Sequence, residues 1–205
     1  MMKSYRVILF LISLILAVSS CELETNTQIT VTGTGDVVSK TVDVSPFSKF
    51  RIDGTADVFI SIGDVQSVAL KAQQEILDVM TFVVSSDKLT VSQQQNVNIV
   101  TDKGIQVDIT VPNIEIIEIN GAAHIELEGE KRDNLSIVIN GTGYIEAYAM
   151  PVDNCSITVS GIGTCKVWVN NSLDVKISGV GYIYHKGDPS VSTSISGVGE
   201  VIDDN

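Results

Sequence analysis

Histidine is nearly missing from this chain of 205 residues: only His124 and His185 occur. No His–Cys–carboxylate spacing suggests a zinc site. Neither histidine has a sequence context that places it in a Ser-His-Asp set, although sequence alone does not exclude a triad built from distant segments. Basic residues are also scarce, 13 against 25 acidic, for a net charge of −12. Nucleic acids and anionic membrane surfaces both require cationic patches, so this balance argues against both as partners. The N-terminal apolar run, Val7–Val18, is too short to cross a bilayer. As a helix it would rise about 18 Å, against a hydrocarbon core of about 30 Å. No catalytic set, cofactor signature or metal cluster is legible, so the expectation is a protein with no cofactor, no metal and no enzymatic activity.

What the chain has instead is one short phrase, written seven times. Five copies lie in the second half: INGAAHIEL from Ile119, INGTGYIEA from Ile139, VSGIGTCKV from Val159, ISGVGYIYH from Ile177 and ISGVGEVID from Ile195. Two looser copies, VTGTGDVV from Val31 and IDGTADVFI from Ile52, lie upstream. The leading glycines of the five, Gly121, Gly141, Gly161, Gly179 and Gly197, are 20, 20, 18 and 18 residues apart. A fixed period in this range marks one small unit stacked on copies of itself. Such a unit buries its apolar face only against its neighbours.

Within each copy apolar and polar residues alternate, as Leu135, Ile137 and Ile139 do before Gly141 and Ile145 and Ala147 do after it. Period two is the strand signature. Each repeat therefore reads as strand, tight Gly-x-Gly or Gly-x-Ala corner, strand and second turn, with glycine at the corner permitting positive φ and close approach of the next layer. Stacked rungs (a parallel β-helix) or a chain of hairpins (a meander) would both alternate. The coil is favoured by phase. Two residues before the leading glycine stand Ile119, Ile139, Val159, Ile177 and Ile195, and four after it stand Ile125, Ile145, Cys165, Ile183 and Val201. Rungs stacked in register about 4.8 Å apart would turn these into ladders pointing into one core.

Lys3, Arg6 and the apolar run form a secretory signal that ends Val18-Ser19-Ser20-Cys21. This ending resembles a bacterial lipoprotein cleavage box, which implies that Cys21 becomes the first mature residue and carries lipid, anchoring the chain firmly. The expected layout is a signal over 1–20, a polar tether over 21–28 and a single domain over 29–205. Losing Lys3 and Arg6 leaves 11 basic residues against 25 acidic and a net charge of −14. Cys155 and Cys165 fall on core phases and read as buried thiols; a disulfide between them is permitted in an exported protein if the strands approach.

Residues 61–115 break the period and read as irregular or longer rungs, or an edge cover, of the same domain. A short helix is predicted near 73–80, with Ile76, Leu77 and Met80 on one face. Strands are predicted at Thr81–Val84, Lys88–Val91 and Ile105–Val111, the last ended by Pro112. The turns at Gly33–Asp36 and Gly54–Asp57 lack the full calcium β-roll pattern and read as plain corners. Glu126, Glu128 and Glu130 alternate on what reads as a solvated acidic strand face.

The Ile-Asn-Gly phrase with its Ile-Ser-Gly variants, together with the run Val111-Pro112-Asn113-Ile114-Glu115-Ile116-Ile117-Glu118-Ile119, resembles the GIN-type head domain of auto-transporter adhesins. The likeness covers about Val31 to Val201. It implies an all-β fold, a right-handed parallel β-helix or solenoid, in an exported, lipid-anchored bacterial protein. It carries over no binding residues. The outward phases supply a candidate ligand surface instead. Three residues past the leading glycine stand His124, Tyr144, Thr164, Tyr182 and Glu200, and seven past it stand Glu128, Tyr148 and Trp168. Tyr148 and Trp168 would lie on adjacent rungs with Tyr144 nearby. Tyr144, Tyr148, Trp168 and Tyr182 thus suit a glycan or protein ligand, because an aromatic face with a polar tip can pack and hydrogen-bond at once. The expected function is a non-enzymatic binding or structural module at the cell envelope, anchored by lipid at the outer membrane. A β-helix polysaccharide lyase or hydrolase is the alternative, and it would need carboxylates converging on one groove.

Overall fold

The computed structural model describes residues 28–205. The signal segment, Cys21 and the tether up to residue 27 lie outside the described residues. What is described is all-β: a large curled, open, half-barrel sheet of mixed pairing and a small two-stranded sheet, with one short helix.

Six repeats stack in it. Each has a strand before its corner and a strand after. The first rung joins β3 (Lys49–Ile52) to β4 (Thr55–Ile62), and the second joins β10 (Ile116–Ile119) to β11 (Ala122–Glu128). The third starts at β12 (Arg132–Ile139) and runs into β13 (Thr142–Val159), whose second half opens the fourth. β14 (Ile162–Ile177) closes the fourth rung and opens the fifth, which ends in β15 (Val180–Lys186). β16 (Ser190–Ile195) and β17 (Val198–Asp203) form the sixth. Pairing between successive rungs is parallel throughout, with Ile119, Ile139, Val159, Ile177 and Ile195 in register on one side. On the other side Ile125, Ile145, Cys165, Ile183 and Val201 are in register. A meander of hairpins would pair antiparallel, so that alternative falls. The inward residues of the middle rungs are buried, as expected: Ile139, Val159 and Ile177 are at most 1% exposed. Ile195 is on the same phase but 42% exposed, because among the described residues no rung covers it.

The corners owe their glycines to proximity rather than to dihedral freedom. None of the five leading glycines has positive φ, contrary to one half of the sequence expectation. A Cβ on Gly141 would stand 2.0 Å from the carbonyl oxygen of Gly121, and one on Gly161 would stand 2.0 Å from that of Gly141. The same oxygens are in use: the Thr142 amide donates to Gly121 at 2.8 Å and the Ile162 amide to Gly141 at 2.9 Å. Outside the corner, the Asn140 side-chain amide donates to Asn120, which donates to Asp53, each at 2.8 Å.

The upstream part departs from a plain solenoid. The looser phrase at Ile52 takes part in the stack. The one at Val31 does not: β1 (Ile29–Thr32) pairs with β8 (Val97–Val100) in a separate two-stranded sheet. Its neighbour β2 (Val38–Thr41) is exposed along its whole length, so this segment has no apolar phase to stack. Between the first and second rungs the chain returns over the first. β7 (Lys88–Gln93) lies parallel beside β3, and β9 (Gln106–Val111) lies parallel beside β4. β6 (Met80–Ser85) and β5 (Ser67–Ala72) then add antiparallel strands outside these, and β2 adds one beyond β5. The helix α1 is a single turn, Gln74–Leu77, with Ile76 and Leu77 buried; Met80 belongs to β6.

Candidate functional site

The post-corner strands β4, β11, β13, β14, β15 and β17 form one face whose outward side chains make a grid, rungs in one direction and phases in the other. Four of the chain's five tyrosines and its one tryptophan stand on it; Tyr5 lies outside the described residues. The phase three residues past the glycine aligns Asp57, His124, Tyr144, Thr164, Tyr182 and Glu200 in register. The pre-corner face carries polar and charged residues instead, such as Arg51, Glu118, Ser136, Ser156, Asp174 and Lys176.

The four predicted residues share this face but not one state. Trp168 and Tyr182 are free, at 41% and 40% exposed. Tyr148 is half-buried and tied down: its hydroxyl donates to the Asp204 carboxylate at 2.7 Å, and Lys186 Nζ lies 4.6 Å above its ring. Burial first, and then the Asp204 carboxylate, push its pKa up. Tyr144 donates its hydroxyl to Glu146 at 3.0 Å. Lys166 reaches Glu146 at 3.1 Å and lies over the Tyr144 ring; the Tyr144 hydroxyl, then Glu146, push its pKa up. Among the described residues the close ring pair is His124 with Tyr144, edge to face at 5.0 Å, not Tyr148 with Trp168.

Two of the hollows on this face bear on the predicted residues. A shallow one of about 440 Å³ runs across four rungs and is lined by Ala56, Ala122, His124, Thr142, Tyr144, Thr164 and their neighbours. A smaller one of about 170 Å³ gathers Glu126, Glu128 and Glu146 beside Phe59. Glu126 and Glu146 are in register on adjacent rungs. His124 lies 3.6 Å from Glu126, and Glu128 accepts from the Ser61 hydroxyl at 2.9 Å. Glu130 lies beyond the strand end. A hollow of about 640 Å³ lies elsewhere, between Pro112–Glu115 and Lys131–Asn134, and holds none of the predicted residues.

Three signals were open to sequence reading and missed. The fifth position past the glycine adds Phe59 and Tyr184 to the aromatic face, and Lys166 and Lys186 supply the cations above its rings. The first position past it forms an exposed apolar column of Ile162, Val180 and Val198. His185 is on a core phase, 8% exposed, with Nδ1 unpartnered. Cys155 and Cys165 are free and buried; burial pushes the Cys155 thiol up to about 12 and raises Cys165 as well. Among the described residues no cluster of three metal-ligating side chains occurs, and no helix is long and apolar enough to cross a membrane.

The family model described as "Putative auto-transporter adhesin, head GIN domain" matches residues 46–143 and 129–189. Among solved structures, a "putative adhesin" from Bacteroides fragilis is 18% identical, with a TM-score of 0.58 over 83% of this chain and 98% of that one. A "Putative lipid binding protein" from Parabacteroides distasonis is 16% identical, with a TM-score of 0.55 over 84% of this chain and 98% of that one. At such identities the likeness is one of fold. No protein of curated function matches.

Proposed function

The chain belongs to the family of auto-transporter adhesin head GIN domains, and from that premise we propose that it is a non-enzymatic binding module of the bacterial cell envelope. In this reading it is exported, held by lipid on Cys21 at the outer membrane, and spaced from it by the tether at 21–28. Residues 29–205 act as one domain whose stacked rungs form a right-handed parallel coil, a reading supported by the in-register parallel pairing. The observation that carries the function is the segregation of aromatic residues: all four described tyrosines and Trp168 stand on one sheet face. Flat faces rich in Tyr and Trp supply contact area at low entropic cost and keep a polar tip available.

The geometry separates anchors from struts. Trp168→Ala with Tyr182→Ala should weaken attachment to a glycan array or to isolated envelope proteins by about thirtyfold, the scale of lost aromatic anchors, and leave stability within about 0.5 kcal/mol. Tyr148→Ala should instead lower stability. Thr164→Ala, on the same face, should do little to either. Unchanged attachment by the double variant at matched folding removes this face as the binding surface. For the anchor, a fatty-acid probe should label the wild type and not Cys21→Ser; equal labelling rules out lipidation.

One observation favours the alternative, a polysaccharide lyase or hydrolase. Glu126 and Glu146 are neighbours across rungs in one hollow, and glycoside cleavage uses paired carboxylates. Against it, the hollow is small and Lys166 already engages Glu146. Reducing ends released from linear polysaccharides by the wild type, and not by Glu126→Gln with Glu146→Gln, would establish the enzyme.

A further inference from the structure

We propose that the shallow groove along the stack binds a neutral, linear glycan lying across the rungs; this rests on the reading of the post-corner face as a binding surface. The groove draws its lining from four successive rungs, so its long axis follows the stack and crosses the strands. Its floor is Ala56, Ala123, Gly143 and Gly163, where the backbone sinks onto the core: a Cβ on Gly143 would stand 2.8 Å from Ile119 Cδ1. One wall is Thr55, Ala122, Thr142 and Ile162. The other is His124, Tyr144 and Thr164, and the next residue in that row is the exposed Tyr182.

Periodicity selects the occupant. The walls recur every rung, about 4.8 Å. A pyranose unit in an extended β-1,4-linked chain is close to that length, and because successive units are turned over, the same sugar face returns every second unit, close to the span of two rungs. An extended peptide presents one face every second residue, about 6.8 Å, and falls out of step within two rungs. Tyr144 and Tyr182 flank Thr164, two rungs apart, about 9.6 Å, and so offer aromatic contacts to alternate sugars, the Tyr144 ring being shared with Lys166, with a small polar residue between.

Charge selects it too. The groove lining holds no Asp, Glu, Lys or Arg, and His124 is its one titratable base. The chain as a whole is acidic, at −12. A polyanionic polymer would meet repulsion, and the cation at the groove wall, Lys166 over the Tyr144 ring, is already paired with Glu146, whereas an uncharged polyol matches it. Glu126 and Glu146, one phase beyond the Tyr144 wall, are placed to accept hydrogen bonds from sugar hydroxyls.

The test is a titration of the full chain in mild detergent with linear hexasaccharides of β-1,4-linked glucose, xylose and mannose, and with polygalacturonate as an acidic polymer. At least one neutral hexamer should bind, with an affinity that salt leaves unchanged. Thr142→Trp, an outward and exposed position, should fill the groove without touching the core and weaken binding at least about tenfold. Tyr144→Ala should cost about thirtyfold, and Tyr144→Phe should stay within about threefold of wild type. Polygalacturonate as the tightest ligand, or wild-type affinity in Thr142→Trp, overturns the proposal. If no hexamer binds while Trp168→Ala with Tyr182→Ala still weakens surface attachment, the glycan is wrong and the binding face stands. If neither effect occurs, both are wrong.

Discussion

Two glycines at equivalent corners should respond to alanine very unequally, and the reason is a single carbonyl. Gly141 sits over the Gly121 oxygen, where a Cβ would approach to 2.0 Å. Gly54, the corner of the first stacked rung, has nothing within 4 Å of the same position. Neither has positive φ, so neither substitution meets dihedral strain. Gly141→Ala must push two rungs apart and break the Thr142-to-Gly121 hydrogen bond; overpacking of this kind should cost about 3 kcal/mol. Gly54→Ala should change stability by less than about 0.5 kcal/mol. Urea midpoints at constant slope would measure both; equal losses would show that the glycines serve flexibility, not proximity. The buried thiols give a second residue-scale expectation. Cys155 and Cys165 are enclosed and their pKa values are raised by burial, so the reactive thiolate is disfavoured. A thiol reagent should leave both unmodified in the native protein and label both in denaturant.

At the scale of the element, a rung is worth what its neighbours cover. Ile177 in β14 lies between Val159 and Ile195 and is 1% exposed, so Ile177→Asp buries an unpaired carboxylate and should cost about 4 kcal/mol or more. Ile195→Asp, on the same phase one rung later, should cost about 1 kcal/mol, because that side chain is 42% exposed. Denaturant unfolding of the two variants would compare them, and similar losses would mean that the last rung is covered in solution. The rungs were legible because identical phases recur: once Ile139, Val159 and Ile177 are aligned, the parallel register follows. The segment between the first and second rungs was not. Its antiparallel partners, such as Val68 opposite Ile109, carry no repeated phrase to align. The β6–β7 hairpin turns at Ser86 and Asp87, both at positive φ without a glycine, so the usual turn signal is missing. The aromatic face was legible through two of its four outward phases. The tie from Tyr148 to Asp204 was not, because it links the third rung to the sixth and no periodic pattern encodes a contact that skips rungs.

For the whole molecule, the two ends of the stack differ, and its dynamics should differ with them. At the first rung, β7 and β9 lie against β3 and β4, and Phe50, Ile52, Val58 and Ile60 are at most 1% exposed. At the last rung β16 and β17 are each paired on one side, and every residue of β16 is exposed. What holds this rung, besides its ladders, is a few polar ties: Tyr148 to Asp204, and the Asn205 side chain bonded to Gly187 through both its oxygen and its nitrogen at 2.9 Å. In a stack where units meet mainly their neighbours, stability is close to a sum of unit and interface terms, and a terminal unit with one interface and a few polar ties opens first. Amide exchange should therefore be slowest in the middle rungs of β12, β13 and β14 and at least about tenfold faster in β16 and β17, while β3 and β4 keep the protection of the middle. Tyr148→Phe should speed exchange in β17 and leave β3 unchanged, because it removes a tie at one end alone. Equal exchange at both ends, or slow exchange throughout β16, would contradict the asymmetry.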